Sequence, residues 1–294
     1  MNLEKKYKHG YTFFDIIKYY CKNPYLNFDY NLYVNKHLVK SVVKDIINVA
    51  ETFYYITKIE EFDKIDFDRL PDKFIIKPAS GSGIQHIVYD KSKIDKNEIK
   101  DLCEEWLNII YGNNMIANNP EEYFESHYLL VEQGVLFEEY LGDKLVDYKF
   151  NVIHGNIEFI TFEMGTDSVY SDKEVLNLYD LDWKYVNAYV LPEPEEIWYS
   201  DRNHPSSDKP KNLKQLIKLA YTLSECLGKI PYMRIDLYNI NGVPYFGEFT
   251  PTPGAGCIAY PKDRYVYDWN KYYGSLIDFH PDRDKLEQVV RYFR

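Results

Sequence analysis

The chain has 294 residues, 45% of them hydrophobic and 28% charged, which is the balance of a folded globular protein and excludes a disordered one. Its 35 basic and 46 acidic residues give a formal net charge of −11, which makes nucleic acid an unfavourable partner. No apolar run reaches the ~18–20 residues of a membrane helix and no signal-peptide core follows Met1. We therefore expect a cytoplasmic protein of about two domains, at ~150 residues per domain, with no membrane span.

The four cysteines are spread along the chain and contain no CxxC pair: Cys21, Cys103, Cys226 and Cys257. Without such a pair a zinc site is not expected. A disulfide framework is not expected either, and the sequence predicts buried free thiols.

The N-terminal region has a helical pattern. Apolar residues recur every three to four positions over 12–21 and again over 36–50, and both segments are predicted to be helices. An acidic segment without a clear pattern follows over 51–71.

The pattern then changes to strands. Residues 74–77 form a short apolar run that ends at Pro78, and 86–89 would return as its partner after a Gly/Ser loop. A helix is predicted over 99–111, and strands over 128–132 and 135–141.

Two hairpins and a helix follow in the second half of the chain. Strands 145–153 and 157–163 flank a turn, and strands 232–240 and 243–249 flank Asn241-Gly242. Between the hairpins the segment 164–210 is irregular. Two further helices are predicted, over 212–227 and 284–293. Hairpins mixed with helices predict an α+β fold with antiparallel sheets.

The first candidate site is a lysine followed by a flexible loop. Lys77 ends a predicted strand, and Ser80, Gly81, Ser82 and Gly83 follow it. Glycines let backbone amides approach phosphate oxygens closely, so the pattern is compatible with a nucleotide. An exposed lysine beside an ordinary hairpin explains these residues equally well.

The second candidate is the 232–249 hairpin, where the strand register decides the chemistry. A two-residue turn would place Asp236 opposite Gly247 and send Glu248 to the other face of the sheet. A three-residue loop with a bulge would place Arg234 opposite Glu248, with Asp236 on the same face. Only the second register brings together the two carboxylates that suit Mg²⁺; a surface Arg–Glu pair is the alternative.

The third candidate is the strand Asp147-Tyr148-Lys149-Phe150-Asn151, whose alternation puts Asp147, Lys149 and Asn151 on one face. That face could line a pocket or could be solvated. The triplets 66–68 and 180–182 match the DxD pattern of glycosyltransferases, but such triplets arise by chance in an acidic chain.

In combination these segments resemble the TupA-like family of the ATP-grasp superfamily, which is named for teichuronopeptide synthesis. The matching segments occur in family order and spacing. They are 34–36, 66–77, Ser82-Gly83, 137–141, 147–150, 234–236, 247–250 and Pro253-Gly254.

The resemblance implies two α+β subdomains that clasp ATP between antiparallel sheets. It divides the chain into an N-terminal helical region (1–70), a lid subdomain (71–141) and a C-terminal subdomain with the metal site (142–294).

The resemblance also assigns roles to individual residues. Lys77, the loop 80–83 and Lys149 would contact phosphates, and Arg234 would meet the transferred phosphoryl group, so that Arg234 and Lys149 are the catalytic residues. Glu138, Glu139, Tyr140 and Leu141 would form the hinge beside adenine. Asp236, Glu248 and Thr250 would hold Mg²⁺, although Thr250 stands where the superfamily often has Asn.

The implied activity is an ATP- and Mg²⁺-dependent ligase that joins a carboxylate to an amine, acting on a cell-surface polysaccharide or its precursor. Transfer of a phosphoryl group would activate the carboxylate as an acyl phosphate. The alternatives are a phosphotransferase acting on a sugar hydroxyl and a catalytically silent nucleotide- or glycan-binding module. A glycosyltransferase is a more distant one. The oligomeric state is not indicated.

Overall fold

The computed structural model describes residues 9–81, 83–108, 125–143, 145–164, 175–186, 191–192, 208–256, 258–259, 269–279 and 281. Ser82, Cys257, the end of the helix predicted over 99–111 and the helix predicted over 284–293 lie outside these residues. Within them, no helix combines the length and apolar character needed to cross a bilayer.

Among the described residues, the first sheet has four antiparallel strands in the order β1-β4-β2-β3. The strands are β1 (Thr52–Ile56), β2 (Phe74–Pro78), β3 (His86–Val88) and β4 (Val135–Glu139). Helix α4 (Lys96–Asn108) shares a core with this sheet, in which Phe74, Ile76 and Phe137 are fully buried. The alternation of buried and half-buried residues along β2 places Lys77 on the face opposite this core.

In the described part of the chain, the second sheet has six antiparallel strands in the order β11-β10-β5-β6-β7-β8. The strands are β5 (Val146–Ile153), β6 (Asn156–Met164), β7 (Val175–Tyr179), β8 (Tyr185–Val186), β10 (Tyr232–Ile240) and β11 (Val243–Thr250). A short separate pair joins β9 (Leu191–Pro192) to β12 (Ile258–Ala259). Two antiparallel sheets with helices confirm the predicted α+β class.

The helices pack on both faces of the larger sheet. Helices α3 (Val39–Val43) and α5 (Leu213–Cys226) share a core with its one face. On the other face, α1 (Phe13–Lys22) and α6 (Trp269–Leu276) cover one end of the sheet. Helix α2 (Tyr30–Val34) connects α1 to α3. The polar side chains on the rest of this second face form the candidate site.

Local signals explain the ends of the confirmed helices. Thr12 caps α1, accepting from the Asp15 amide while the Asp15 carboxylate accepts from the Thr12 amide. Gly228 follows α5 with φ +69°, the left-handed conformation in which helices commonly end.

Three secondary-structure predictions were wrong. The helix predicted over 36–50 is reduced to α3, because the chain turns so that the Asn48 carbonyl accepts from Phe246 on β11. The strand predicted over 128–132 is a 3-10 helix, Ser126–Leu130. The segment 164–210 contains β7, which pairs regularly with β6.

The division of the chain at residues 70 and 141 remains a prediction. Strand β1 lies before the first division, yet it is an edge strand of the four-stranded sheet and pairs with β4. The N-terminal region is therefore tied by backbone pairing to the sheet that carries Lys77.

Candidate active site

The hairpin of β10 and β11 brings two carboxylates face to face. The turn has two residues, so Ile240 lies opposite Val243, and this pairing continues as far as Leu237 opposite Phe246. The register then shifts by one residue, and Asp236 lies directly opposite Glu248. The two-residue turn of the first alternative is confirmed, but both alternatives were wrong about the partners of Asp236 and Glu248, because the bulge occurs inside the strand and not at the turn. The grouping of Arg234, Asp236 and Glu248 on one face is nevertheless present.

Gly247 is the extra residue at this bulge. A Cβ atom at position 247 would lie 2.9 Å from the Asp236 carbonyl oxygen and 3.4 Å from the Asp236 Cβ atom. Such an approach to backbone is closer than real side chains make, so glycine is required where the strands are offset.

Arg234 is the centre of the polar cluster on this hairpin. Its Nε donates to Asp236 Oδ1 at 2.7 Å and its Nη2 to Asp236 Oδ2 at 2.6 Å, a bidentate pair. Nη2 also donates to Thr250 Oγ1 at 3.1 Å and lies 3.6 Å from Glu248 Oε1. Thr250 in turn donates to Glu248 Oε1 at 3.1 Å. The three predicted metal ligands thus all surround the Arg234 guanidinium.

Burial and the neighbouring charges together set the pKa values of the two carboxyl groups in this cluster. Burial raises the pKa of Asp236, and the Arg234 guanidinium opposes that rise. Burial also acts to raise the pKa of Glu248, but the positive charges of Lys36 and Arg234 outweigh it and lower that pKa. Glu248 is the more accessible carboxylate, with 38% of its side chain exposed against 5% for Asp236.

Strand β5 adds a second set of charges to the same face. Lys149 lies opposite Asp236, and its Nζ contacts Glu163 on β6 and Asp147 Oδ2 at 3.7 Å. Burial raises the pKa of Asp147 to about 7, with Lys149 opposing and Glu163 adding to the rise. Asn151 has a structural role, accepting from the Tyr232 hydroxyl at 2.7 Å and donating to Thr161 at 3.2 Å.

The four-stranded sheet contributes Lys77. Its Nζ lies 2.5 Å from Oε1 of Glu138, a buried carboxylate on β4. The second oxygen of Glu138 accepts from Lys40 of α3. Nearby, Lys36 donates to the carbonyl oxygen of Gly81 in the predicted loop.

A cavity lies between the two sheets at this point. Its lining combines three lysines and one glutamate with apolar residues: Lys36, Lys40, Lys77, Glu138, Val49, Ala50, Leu141, Tyr238, Phe246 and Gly247. Tyr238 and Gly247 are neighbours of the carboxylate pair on the hairpin, so the cavity adjoins the Arg234 cluster. Its wall therefore offers positive charge beside apolar surface inside an acidic protein.

The loop after β2 lies beside this cavity, because the Gly81 carbonyl oxygen accepts from Lys36, which lines the cavity. Gly81 and Gly83 have φ of +85° and +72°, conformations that favour glycine. Ser80 is fully buried and its Oγ donates to Gln133 at 3.1 Å, so its hydroxyl is directed into the protein.

The predicted hinge residues differ in their surroundings. Leu141 lines the cavity. The Glu139 amide donates to the Glu51 carbonyl at 2.8 Å, which extends the pairing between β4 and the start of β1. The Tyr140 hydroxyl donates to Asp143, outside the cavity lining.

Sequence reasoning missed three charged residues of the site: Lys36, Lys40 and Glu163. Lys36 ends the segment 34–36 that resembles the family, but no role was assigned to it. Lys40 and Glu163 belong to no local motif, and each is defined by a partner far along the chain or on a neighbouring strand. The DxD triplets are local turns, because Asp66 accepts from the Asp68 amide and Asp180 from the Asp182 amide.

The residues on the hairpin fit a hard divalent cation in their chemistry. Two carboxylates and one hydroxyl supply oxygen ligands, and Mg²⁺ typically adds substrate phosphates and waters to one or two carboxylates. In the described parts of the chain no group of three or more Asp, Glu, His or Cys side chains forms a fuller site. In their chemistry, Asp236, Glu248 and Thr250 are thus suited to such a cation.

Two antiparallel sheets that enclose a lysine-lined cavity beside an acidic hairpin define a protein of ATP-grasp architecture. The family model for TupA-like ATPgrasp matches residues 17–268, and the chain belongs to that family. No curated protein sequence matches the chain.

Solved structures resemble the chain at low sequence identity. D-alanine–D-alanine ligase from Bacillus anthracis complexed with ATP has 14% identity and a TM-score of 0.47, covering 89% of this chain and 67% of that one. The ligase of the same name from Helicobacter pylori has 15% identity and a TM-score of 0.44, covering 83% and 60%. L-amino acid ligase from Bacillus licheniformis has 14% identity and a TM-score of 0.45, covering 76% and 44%. The chain thus spans about half to two thirds of the length of these proteins.

Proposed function

We propose that this protein is an ATP- and Mg²⁺-dependent ligase that joins a carboxylate to an amine through an acyl-phosphate intermediate. The observation that carries the proposal is the position of a lysine-lined cavity directly beside the Arg234, Asp236 and Glu248 cluster. Phosphoryl transfer depends mainly on positioning and charge stabilisation, and these residues can supply both.

Different residues of the cavity wall would contact the adenine and the phosphates of the nucleotide. The apolar side chains of Val49, Leu141 and Phe246 would contact adenine, with the backbone of 138–141 reading its edge. The ammonium groups of Lys77 and Lys36 would contact phosphate oxygens, since both line the same cavity. The loop 80–83 would cover the phosphates and exclude water.

The hairpin would act on the transferred group. Arg234 is within hydrogen-bond reach of Asp236 and Thr250, and its guanidinium would stabilise the charge of the phosphoryl group as it moves. Asp236, Glu248 and Thr250 would hold Mg²⁺, which when bound would offset negative charge on the phosphates. Lys149 would add a further positive charge from β5, kept protonated by Glu163.

The proposed reaction has two chemical steps. A carboxylate oxygen of the substrate attacks the γ-phosphorus of ATP, and the bond to the β-phosphate oxygen breaks to give an acyl phosphate and ADP. An amine then attacks the acyl carbon, phosphate leaves, and the amine proton is released as the amide forms. Removing one charge-stabilising contact typically costs on the order of 10²–10³ in rate.

The substrate class is proposed from the family alone. Because the TupA-like family is named for teichuronopeptide synthesis, we propose a carboxylate on a cell-surface polysaccharide or its precursor, modified in the cytoplasm. The amine would be a small molecule such as an amino acid.

The test is turnover of Mg-ATP against pooled uronic acids, amino acids and amines, with the product identified by mass. We expect ADP, free phosphate and an amide to appear together and to require both an acid and an amine. Lys77→Ala and Glu248→Ala should abolish this turnover. The control Lys100→Ala should retain it, because Lys100 pairs with Asp63 on the protein surface.

Two results would contradict the ligase. A phosphorylated sugar formed without an amine and without free phosphate would identify a phosphotransferase. Tight ATP binding without turnover across the whole panel would identify a binding module. Full activity in both Lys77→Ala and Glu248→Ala would refute the site.

A further inference from the structure

Lys40 lines the cavity, but its ammonium group is already committed. Its Nζ donates to the Ala50 carbonyl oxygen at 2.7 Å, to Thr52 Oγ1 at 2.7 Å and to Glu138 Oε2. An ammonium has three donors, and these three acceptors use them all. Lys40 is therefore poorly suited to bind a phosphate itself, in contrast to Lys77 and Lys36.

Glu138 joins Lys40 to Lys77. One carboxylate oxygen faces Lys77 Nζ at 2.5 Å, and the other accepts from Lys40. Only 5% of the Glu138 side chain is exposed. A buried carboxylate beside a single cation would neutralise the charge of that cation. Sharing Glu138 between two lysines leaves this trio with a net charge of about +1.

We propose that Lys40 is a positioning residue that compensates the charge of Glu138, so that the positive charge of Lys77 remains available to the nucleotide phosphates. This inference rests on the proposed function, because it presumes that ATP occupies the cavity. Glu138 holds the Lys77 ammonium in place, and Lys40 prevents Glu138 from cancelling its charge. Without Lys40, the remaining pair of Lys77 and Glu138 would be neutral.

A charge role and a merely structural role predict different losses of binding. If Lys40 supplies charge, its removal weakens the binding of nucleotides by a factor that grows with the number of phosphates. The binding of adenosine is then unchanged. If Lys40 only anchors α3 to β1 through Ala50 and Thr52, its removal weakens the binding of adenosine and of ATP by the same factor. A series of adenosine, AMP, ADP and ATP therefore separates the two.

The experiment measures the Kd of each of these ligands by calorimetry for the full chain. The variants are Lys40→Met, Lys40→Arg and the double variant Lys40→Met with Glu138→Gln. Lys44→Met is the matched control, because Lys44 lies one turn further along the same segment and is exposed. Lys40→Gln provides a second uncharged variant if Lys40→Met does not fold, which thermal unfolding will show.

We expect Lys40→Met to raise the Kd of ATP about tenfold and that of adenosine less than about twofold. Lys40→Arg should regain most of the ATP affinity, because it returns the trio to a charge near +1. The double variant should regain part of it, because it restores that charge but removes the carboxylate that holds Lys77. Equal losses for adenosine and ATP, or no loss at all, would overturn the inference while the proposed function stands. A wild-type chain that does not bind ATP would overturn both.

Discussion

Asp236 and Glu248 face each other directly across the pair of β10 and β11, although an unbroken ladder from their two-residue turn would place Asp236 opposite Gly247. One extra residue in β11 changes which side chains share a face, because side chains alternate along a strand. The carboxylate pair of the candidate metal site therefore depends on a single bulge.

Gly247→Ala tests this dependence. The added Cβ atom would lie 2.9 Å from the Asp236 carbonyl oxygen, so the strands must separate or the bulge must move. We expect the affinity for Mn²⁺, used as a spectroscopic probe with ADP present, to fall at least about tenfold, and stability to fall by roughly 1–3 kcal/mol.

The control for this change is Gly228→Ala, where φ of +69° strains an alanine but nothing lies near the added Cβ atom. It should cost about 1 kcal/mol of stability without altering Mn²⁺ affinity. Wild-type Mn²⁺ affinity in folded Gly247→Ala would show that the bulge does not position the carboxylates.

Arg234→Met should be strongly destabilising near neutral pH. The substitution leaves the buried Asp236 carboxylate without its bidentate partner, and breaking a buried pair in this way costs roughly 3–5 kcal/mol. Urea unfolding at pH 7.5, roughly physiological, provides the measurement.

A second substitution distinguishes the charge effect from lost packing. Asp236→Asn in the Arg234→Met background removes the unpaired charge and should recover about half of the loss or more. If the double variant were as unstable as Arg234→Met alone, the buried charge would not be the cause.

ATP affinity should fall as the pH rises through about 8. Burial lowers the pKa of Lys36 to about 8, with Glu248 opposing the shift and Lys77 adding to it. Below that pH Lys36 is charged and attracts phosphates, whereas above it the ammonium loses its proton. Calorimetry across pH 6.5 to 9.5 should show a loss of up to about tenfold per unit above 8.

Variants at the same position identify the titrating group. Lys36→Met should bind ATP more weakly and without this pH dependence, and Lys36→Arg should bind without loss across the range because arginine stays charged. A wild-type pH profile that Lys36→Met leaves unchanged would assign the titration to another group.

Asp147→Asn should stabilise the protein at alkaline pH. The Asp147 carboxyl has a pKa of about 7 in the folded state, raised first by burial, against about 3.9 when unfolded. Between those values the folded state holds the extra proton, so its stability falls as the pH rises from ~4 to ~7. Asparagine does not titrate, so the Asp147→Asn variant does not lose this stability.

The expected gain is roughly 1–3 kcal/mol at pH 8 and close to zero near pH 4, measured by urea unfolding at both values. The contact of Asp147 with Lys149 at 3.7 Å reduces the gain but does not reverse it, because Lys149 also pairs with Glu163, whose negative charge adds to the rise in the pKa of Asp147. An equal difference between variant and wild type at both pH values would contradict the assigned pKa.

Much of the fold could be predicted because its signals are local. The signals for the capped helix α1, the amphipathic α5 and the turns at Asn241-Gly242 and His154-Gly155 come from residues that are neighbours in the sequence. Predictions failed where distant contacts overrode local preference. The helix predicted over 36–50 ends early because Asn48 bonds to β11, almost 200 residues away.

The candidate site divides in the same way. The amino-acid sequence by itself determined which residue types are available, including the lysine that ends β2 and the Arg, Asp and Glu of the last hairpin. Tertiary structure alone decided that Asp236 meets Glu248, because register depends on a bulge that sequence spacing does not reveal. It also decided that Lys40 meets Glu138, since residues 98 positions apart become neighbours only when α3 packs beside β4. Charge acts through distance in space, which the linear order of residues does not contain.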